Sequence, residues 1–310
     1  IWVSYFGGGK IPFARDFQTG ECVTYLEVAE DRETLLAWRK AGFPQNRLIP
    51  LDAEHNFWME KPKKKNTSLK CGPTSELFYD LGKDKACGKN CIPGCRCGRF
   101  IEFSNNRFIT HRLNPRKGNL EKVKNALAET VIGIERISMI TGNVPSIWDT
   151  PSCQPVMRKI YEFVTCENED EVFIRESESV IADHLKALCV LIADGAPAPG
   201  RSGRARIVRT LIRKILTRMM LLGIDAEKFF PVIISAVMPE AANQKSLKEK
   251  MTAYLENESE VFRNTLKKES NELEKMISGN QGKSLSASQT FFLKEYRGMP
   301  VLLTKKCRVT

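Results

Sequence analysis

The chain is 310 residues long and carries 48 Lys and Arg against 37 Asp and Glu, a net charge of +11 at pH 7, with 42% hydrophobic and 8% aromatic residues. This is a globular composition, long enough for two domains, and its positive excess calls for an anionic partner. The longest apolar runs, such as Leu188–Ala193, are interrupted by charge well short of the ~18 residues of a membrane span, which excludes a transmembrane role.

The first six residues read as a strand that starts inside an apolar run, with no initiator Met and no secretory signal, as expected of a section of something longer. Glu30–Ala41 reads as a helix closed by Gly42, and Leu48–Leu51 as a short strand. Lys61–Lys65 reads as a solvated loop, because Pro62 and Asn66 oppose regular structure. Arg99–Thr110 alternates with the period of two of a strand. Gly133–Ile140 starts a helix, and helices follow at roughly 151–164, 178–194, 203–222, 227–238, 245–277 and 286–295. With a boundary near Asp149–Gln154, the expectation is an α+β fold: a β-rich domain over 1–150 and an all-helical domain over 151–310.

The densest basic element is Arg201, Arg204, Arg206, Arg209, Arg213, Lys214 and Arg218, with no acid between Asp194 and Asp225. Helical spacing puts several of these cations on one stripe, opposite Ile207, Leu211, Ile215 and Met219, which are expected to face the core. A solvated basic face and a phosphate track both fit this pattern, and the chain-wide charge favours a polyanion such as nucleic acid.

Cys87, Cys91, Cys95 and Cys97 place four soft ligands within eleven residues, separated by glycines that permit tight turns. Four thiolates suit one tetrahedral zinc ion and leave no open position, so the site is expected to be structural; free thiols in a loop are the alternative. The close spacing opposes disulfide pairing and fits a reduced, cytoplasmic chain. His55, His111 and His184 belong to no nucleophile or H-x-x-x-H motif, and Gly7-Gly8-Gly9-Lys10 lacks the rest of a P-loop.

Asn56-Phe57-Trp58, Cys71–Asp80 (CGPTSELFYD), Phe100–Asn105 (FIEFSN), Glu129–Arg136 (ETVIGIER) and Asn143–Thr150 (NVPSIWDT) resemble, in order, motifs of the alanyl-tRNA synthetases, class II ligases. Ile1–Phe6, Ala182–His184, Ala193–Gly195, Gly203–Lys214 and Phe291–Pro300 continue the likeness, so it covers almost the whole chain. The resemblance implies a class II antiparallel sheet portion and a helical tRNA-recognition domain. It also implies ATP with Mg, alanine or a similar small amino acid, and the acceptor stem of tRNA as partners. It assigns Trp2 to the wall of the amino-acid pocket, Asn105 to substrate orientation and Glu129 to the alanine ammonium. Val131 and Gly133 would line the same pocket, and Arg136 would hold ATP phosphate with Glu135 beside it. On the helical half it points to the basic residues Arg201, Arg204, Arg206, Arg209, Arg213 and Lys214, and to Glu295, as the tRNA surface.

Four positions depart from the family pattern. Val131 stands for a glycine, Glu129 for an Asp, Ser104 for a Trp, and Arg201 for the Asn that helps read a G·U pair. The first two are expected to crowd the alanine pocket, where overpacking costs about 1–3 kcal/mol. A long cation at 201 favours phosphate contact over base reading. Class II motifs 1 and 2 precede the resembling region in the family, so weak or no activation is expected of these residues alone, and a complementing chain carrying those motifs is a natural partner. A catalytically inactive synthetase-like paralogue that binds tRNA or another structured RNA is the alternative.

Overall fold

The computed structural model describes residues 1–15, 22–61, 67–115, 117–166, 169–238, 244–279 and 285–306, and the Lys-rich loop expected over Lys61–Lys65 falls almost entirely outside them. The chain forms two compact units, Ile1–Thr150 and Pro151–Thr310.

The first unit contains β1 (Trp2–Phe6), the hairpin β2 (Gly9–Arg15) and β3 (Cys22–Val28), α1 (Arg32–Lys40), β4 (Leu48–Leu51), α2 (Ala53–Asn56), β5 (Phe57–Met59), β6 (Leu69–Asp80), β7 (Phe100–Asn114), β8 (Asn119–Ile132) and α3 (Ile134–Thr141). Its main sheet runs β4-β1-β6-β7-β8, with β5 also paired to β6. The expected antiparallel sheet needs one correction: β1 and β4 are parallel. The β2–β3 hairpin and α1 lie between them in sequence and return the chain to the same end of the sheet, which is the long crossover a parallel pair requires.

Local chemistry fixes these elements. Asp31 accepts the Thr34 N–H at 3.1 Å and starts α1, whose Leu35 packs with Val3, Tyr5 and Leu48. The Trp38 indole donates to Ser75 Oγ at 2.8 Å, and that hydroxyl donates to the Ser4 carbonyl at 2.7 Å, tying α1 across β6 to β1. Gly72 is required inside β6, because a Cβ there would collide with the Phe108 carbonyl of β7. The two long strands β6 and β8 were not expected. A Gly-Pro pair interrupts β6, and β8, at the end of the sheet, is exposed along nearly its whole length and so lacks the alternation that marks a half-buried strand.

The second unit contains α4 (Gln154–Tyr161), α5 (Glu171–Ala193), α6 (Gly203–Leu221), α7 (Ala226–Val237), α8 (Gln244–Gly279), α9 (Ala287–Phe292), a π turn at Leu293–Arg297 and α10 (Val301–Lys306). Its first helix is shorter than 151–164, and α5 begins well before 178, because Asp170 caps the Phe173 N–H at 2.8 Å. Ile181, Leu185, Ile212, Ile215, Phe229, Phe262 and Leu255 are all fully or almost fully buried at its centre. On α6 the core row is Val208, Ile212, Ile215 and Met219, a 4-3-4 spacing. Ile207 is therefore not a core residue as expected but lies one position round the helix, 56% exposed. Among the described residues no helix is long and apolar enough to cross a membrane.

Candidate functional site

Strand register builds the site in the first unit. Glu76 of β6 pairs with Asn105 of β7, so their side chains stand next to each other on one face. Asn105 Nδ2 donates to Glu76 Oε1 at 2.8 Å and to Glu102 Oε1 at 3.3 Å, holding two carboxylates together with one amide. A cavity of about 500 Å³ opens over them, lined by Glu54, His55, Glu76, Glu102, Cys95 and Arg136, with Phe78 and Phe100 beneath. Burial, and then the charge of Glu102, push the Glu76 carboxyl up to about 7. His55 Nδ1 lies 2.8 Å from Asp52 Oδ1, the carboxylate that caps α2. Arg136, in the first turn of α3, donates to the Glu102 carbonyl. Gly133, immediately before that helix, donates to the Phe103 carbonyl at 2.9 Å and lies against the Arg136 side chain. Paired acids and a guanidinium at one opening can hold a cationic group next to an anionic one.

The four cysteines gather beside this cavity. The sulfurs of Cys87, Cys91, Cys95 and Cys97 all lie within 4.8 Å of one another, with 3.3 Å between Cys87 and Cys95 and 3.5 Å between Cys91 and Cys97. Four sulfurs at about 2.3 Å from one tetrahedral zinc would be roughly 3.8 Å apart, so the donor set and its compactness fit that ion. The Arg99 backbone N–H, followed by the neighbouring thiols, lowers Cys97 to about 6, while hydrogen bonds from the other three thiols push Cys87 up to about 12, so the four sulfurs titrate as one group.

Arg99 clamps this knot to the sheet. Its Nε and Nη2 each bond Asp80 at 2.7 Å, and its Nη1 reaches the Cys91 carbonyl at 3.4 Å. Asp80 also accepts the Gly82 N–H at 3.0 Å and the Trp2 indole at 3.2 Å, and the Arg99 hydrogen bonds hold its carboxyl near 2. Trp2 meets Phe100 edge-on at 5.6 Å under the knot, so its ring supports the cysteine loop and does not line the cavity.

The remaining expected residues are spread along β8 and α3. Glu129 faces Arg107 at 3.0 Å, and that guanidinium stacks over Trp58 at 4.4 Å. Val131 is 62% exposed and does not line the cavity, so the crowding expected from Val131 and Glu129 finds no counterpart there. Glu135 is exposed on α3. Of the expected pocket residues, Arg136 lines the cavity, Asn105 bonds a carboxylate of its wall and Gly133 lies against Arg136, whereas Trp2, Glu129 and Val131 are off the wall. Glu76, Glu102 and His55 were not singled out in the sequence, although the first two lie inside the quoted motif stretches and their strand register is what exposes their partnership.

In the second unit the α6 cations divide into two groups. Arg201, Arg204, Arg206 and Lys214 are exposed, and none makes an ion pair among the described residues. Arg213 instead bonds the buried Glu258 of α8 at 2.6 Å and lies over Phe262, while Arg218 donates to Ser177 at 3.0 Å and lies over Phe173. The phosphate track read from the sequence therefore narrows: local sequence holds no acid, but α8 supplies one in space. Arg209 is partly buried beside Arg213, and Glu295, in the π turn, pairs with Lys294 at 2.9 Å.

The model of the family described as tRNA synthetases class II (A) matches residues 3–308. The chain is similar to the alanine–tRNA ligase of Borrelia hermsii (strain HS1 / DAH), 32% identical over 287 residues, which cover 90% of this chain and 47% of that one. It is similar to the alanine–tRNA ligase of Thermoanaerobacter sp. (strain X514) at 32% over 319 residues, covering 97% of this chain and 35% of the relative. The chain thus spans between a third and a half of the length of these relatives. A match that runs without a break through both the carboxylate-lined sheet and the basic helical unit makes this chain a member of the class II (A) tRNA synthetase family.

Proposed function

We propose that the chain contributes amino-acid activation and tRNA binding to an alanyl-type tRNA ligase, and that it works in the cytoplasm with reduced thiols. The observation that carries this reading is the cavity lined by Glu76, Glu102 and Arg136, whose two carboxylates Asn105 bridges. In the reaction, the alanine carboxylate attacks the α-phosphorus of ATP and releases pyrophosphate, and a hydroxyl at the tRNA 3′ end then takes the alanyl group and releases AMP. The half-buried acid pair suits the substrate ammonium, Asn105 fixes its orientation, and Arg136 with Glu135 beside it faces phosphate. Glu129 reaches substrate in this scheme only by giving up Arg107. Mg accompanies ATP, and the carboxylates of the cavity wall are the oxygen donors a hard cation takes. Zinc, held by Cys87, Cys91, Cys95 and Cys97, would supply structure alone, fixing the loop that carries Cys95 into the cavity wall.

Arg201, Arg204, Arg206, Arg209 and Lys214 are the proposed phosphate track for the acceptor stem, with Glu295 and the outer part of Arg213 at its margin. A complementing polypeptide bearing motifs 1 and 2 is proposed to join the sheet; support comes from β8, which ends the strand order with exposed side chains.

The test is alanine-dependent exchange of pyrophosphate into ATP, with serine and glycine as competitors. Exchange is expected when a polypeptide carrying motifs 1 and 2 is added, and loss of it in Arg136→Ala. Robust exchange by the 310-residue chain alone would remove the need for a complement. No exchange in either case, with RNA binding intact, would replace the catalytic reading with that of an inactive RNA-binding paralogue.

A further inference from the structure

The end of α9 and the turn after it carry aromatic rings that the core does not use. Tyr296 is 75% exposed and Phe291 58% exposed, while Leu293 and Met299 of the same turn are buried at 0% and 2% and seat it on the unit. Tyr296 stacks on Phe292, their centroids 5.6 Å apart and their planes 25° from parallel, so one face of a pre-ordered ring pair points to solvent. The Arg297 guanidinium lies 5.4 Å from the Phe292 ring and 3.8 Å from the buried Glu269, and Lys294, on the same turn, pairs with Glu295 at 2.9 Å. The turn adjoins the basic helix: a Cβ on Gly298, whose positive φ lets the chain reverse, would lie 3.0 Å from Arg213 Nη1 of α6.

We propose that Tyr296, backed by Phe292, is a stacking platform for an unpaired base of the RNA whose phosphates follow α6; the proposal rests on the RNA-binding reading given above. A nucleobase fits better than an apolar protein segment because the chain neighbours of the exposed ring are the charged Lys294, Glu295 and Arg297, in a chain of net charge +11. Cations beside an exposed aromatic face are what single-stranded nucleic acid takes, since every base offers a π face and every nucleotide a phosphate.

The experiment measures binding of two RNAs to the 310-residue chain by fluorescence anisotropy across a salt series. One is a blunt hairpin and the other the same hairpin with an unpaired 3′ extension containing 2-aminopurine. The extended RNA is expected to bind about tenfold more tightly, with 2-aminopurine quenched on binding, as one stacked base provides. Tyr296→Ala should abolish both the preference and the quenching, and Tyr296→Phe should keep both; the salt slope should stay unchanged in both variants. Equal binding of the two RNAs by the unaltered chain, or a preference that survives Tyr296→Ala, overturns the platform and leaves the α6 reading standing. Failure of both RNAs to bind in a salt-dependent way overturns the two together.

Discussion

The two units are held together by different physics, and the difference shows where each can work. The helical unit buries a mostly apolar centre of Ile181, Leu185, Ile212, Ile215 and Phe229, and exposes Arg204, Arg206 and Lys214 on the outside of α6. The sheet unit is organised around polar groups: the Arg99–Asp80–Trp2 clamp, the Glu76–Asn105–Glu102 set and a knot of four cysteines. Oriented polar groups in a half-buried site hold charged substrates in place, whereas an apolar core only has to keep an outer charged face rigid.

That contrast gives graded predictions. The largest effect is expected at the cysteine knot: elemental analysis should find about one zinc per chain, and Cys91→Ser should abolish it and expose the 82–98 loop to proteolysis. Leu185→Ala, in the apolar core, should cost about 2–5 kcal/mol in urea denaturation. Asp80→Ala should cost about 1.5–3 kcal/mol by leaving Nε and Nη2 of Arg99 and the Trp2 indole without their acceptor.

A subtler effect concerns pH. Glu76 has its folded value raised from 4.5 to about 7, so the folded chain binds that proton more tightly than the unfolded one. Its stabilising contribution is then fully present below pH 4.5 and lost as the pH rises through 7. Subtracting the stability profile of Glu76→Gln from that of the unaltered chain should isolate a decline across this window; a flat difference would show that Glu76 titrates normally. The smallest stability effect is expected from Arg204→Ala and Arg206→Ala, within about 0.5 kcal/mol, since both are exposed and neither makes an ion pair among the described residues. Each should nonetheless lower the salt slope of RNA binding by about 1.

Much of this was legible in the sequence because it rests on local signals. The helical succession follows the 3.6-residue period, and the cysteine cluster follows from ligand spacing. What escaped depends on pairing at a distance. β8 shows no alternation because neither face is buried, and β6 hides behind Gly72 and Pro73, which a bulge accommodates. Glu258 lies 45 residues from Arg213, so the ion pair that withdraws one arginine from the basic stripe is invisible until α8 packs on α6. The Glu76–Asn105 contact likewise exists only through strand register. Ile207 was misplaced by a single step of helical phase, within which a polar-rich helix such as α6 leaves its apolar row ambiguous.

The claim that the sheet cavity serves activation while the helical face serves RNA is tested most directly by calorimetric titration with a non-hydrolysable alanyl-adenylate analogue. The account predicts one-to-one binding that Arg136→Ala weakens at least tenfold and that Arg204→Ala with Arg206→Ala leaves unchanged. Binding that is indifferent to Arg136, or that follows the α6 arginines, would contradict it.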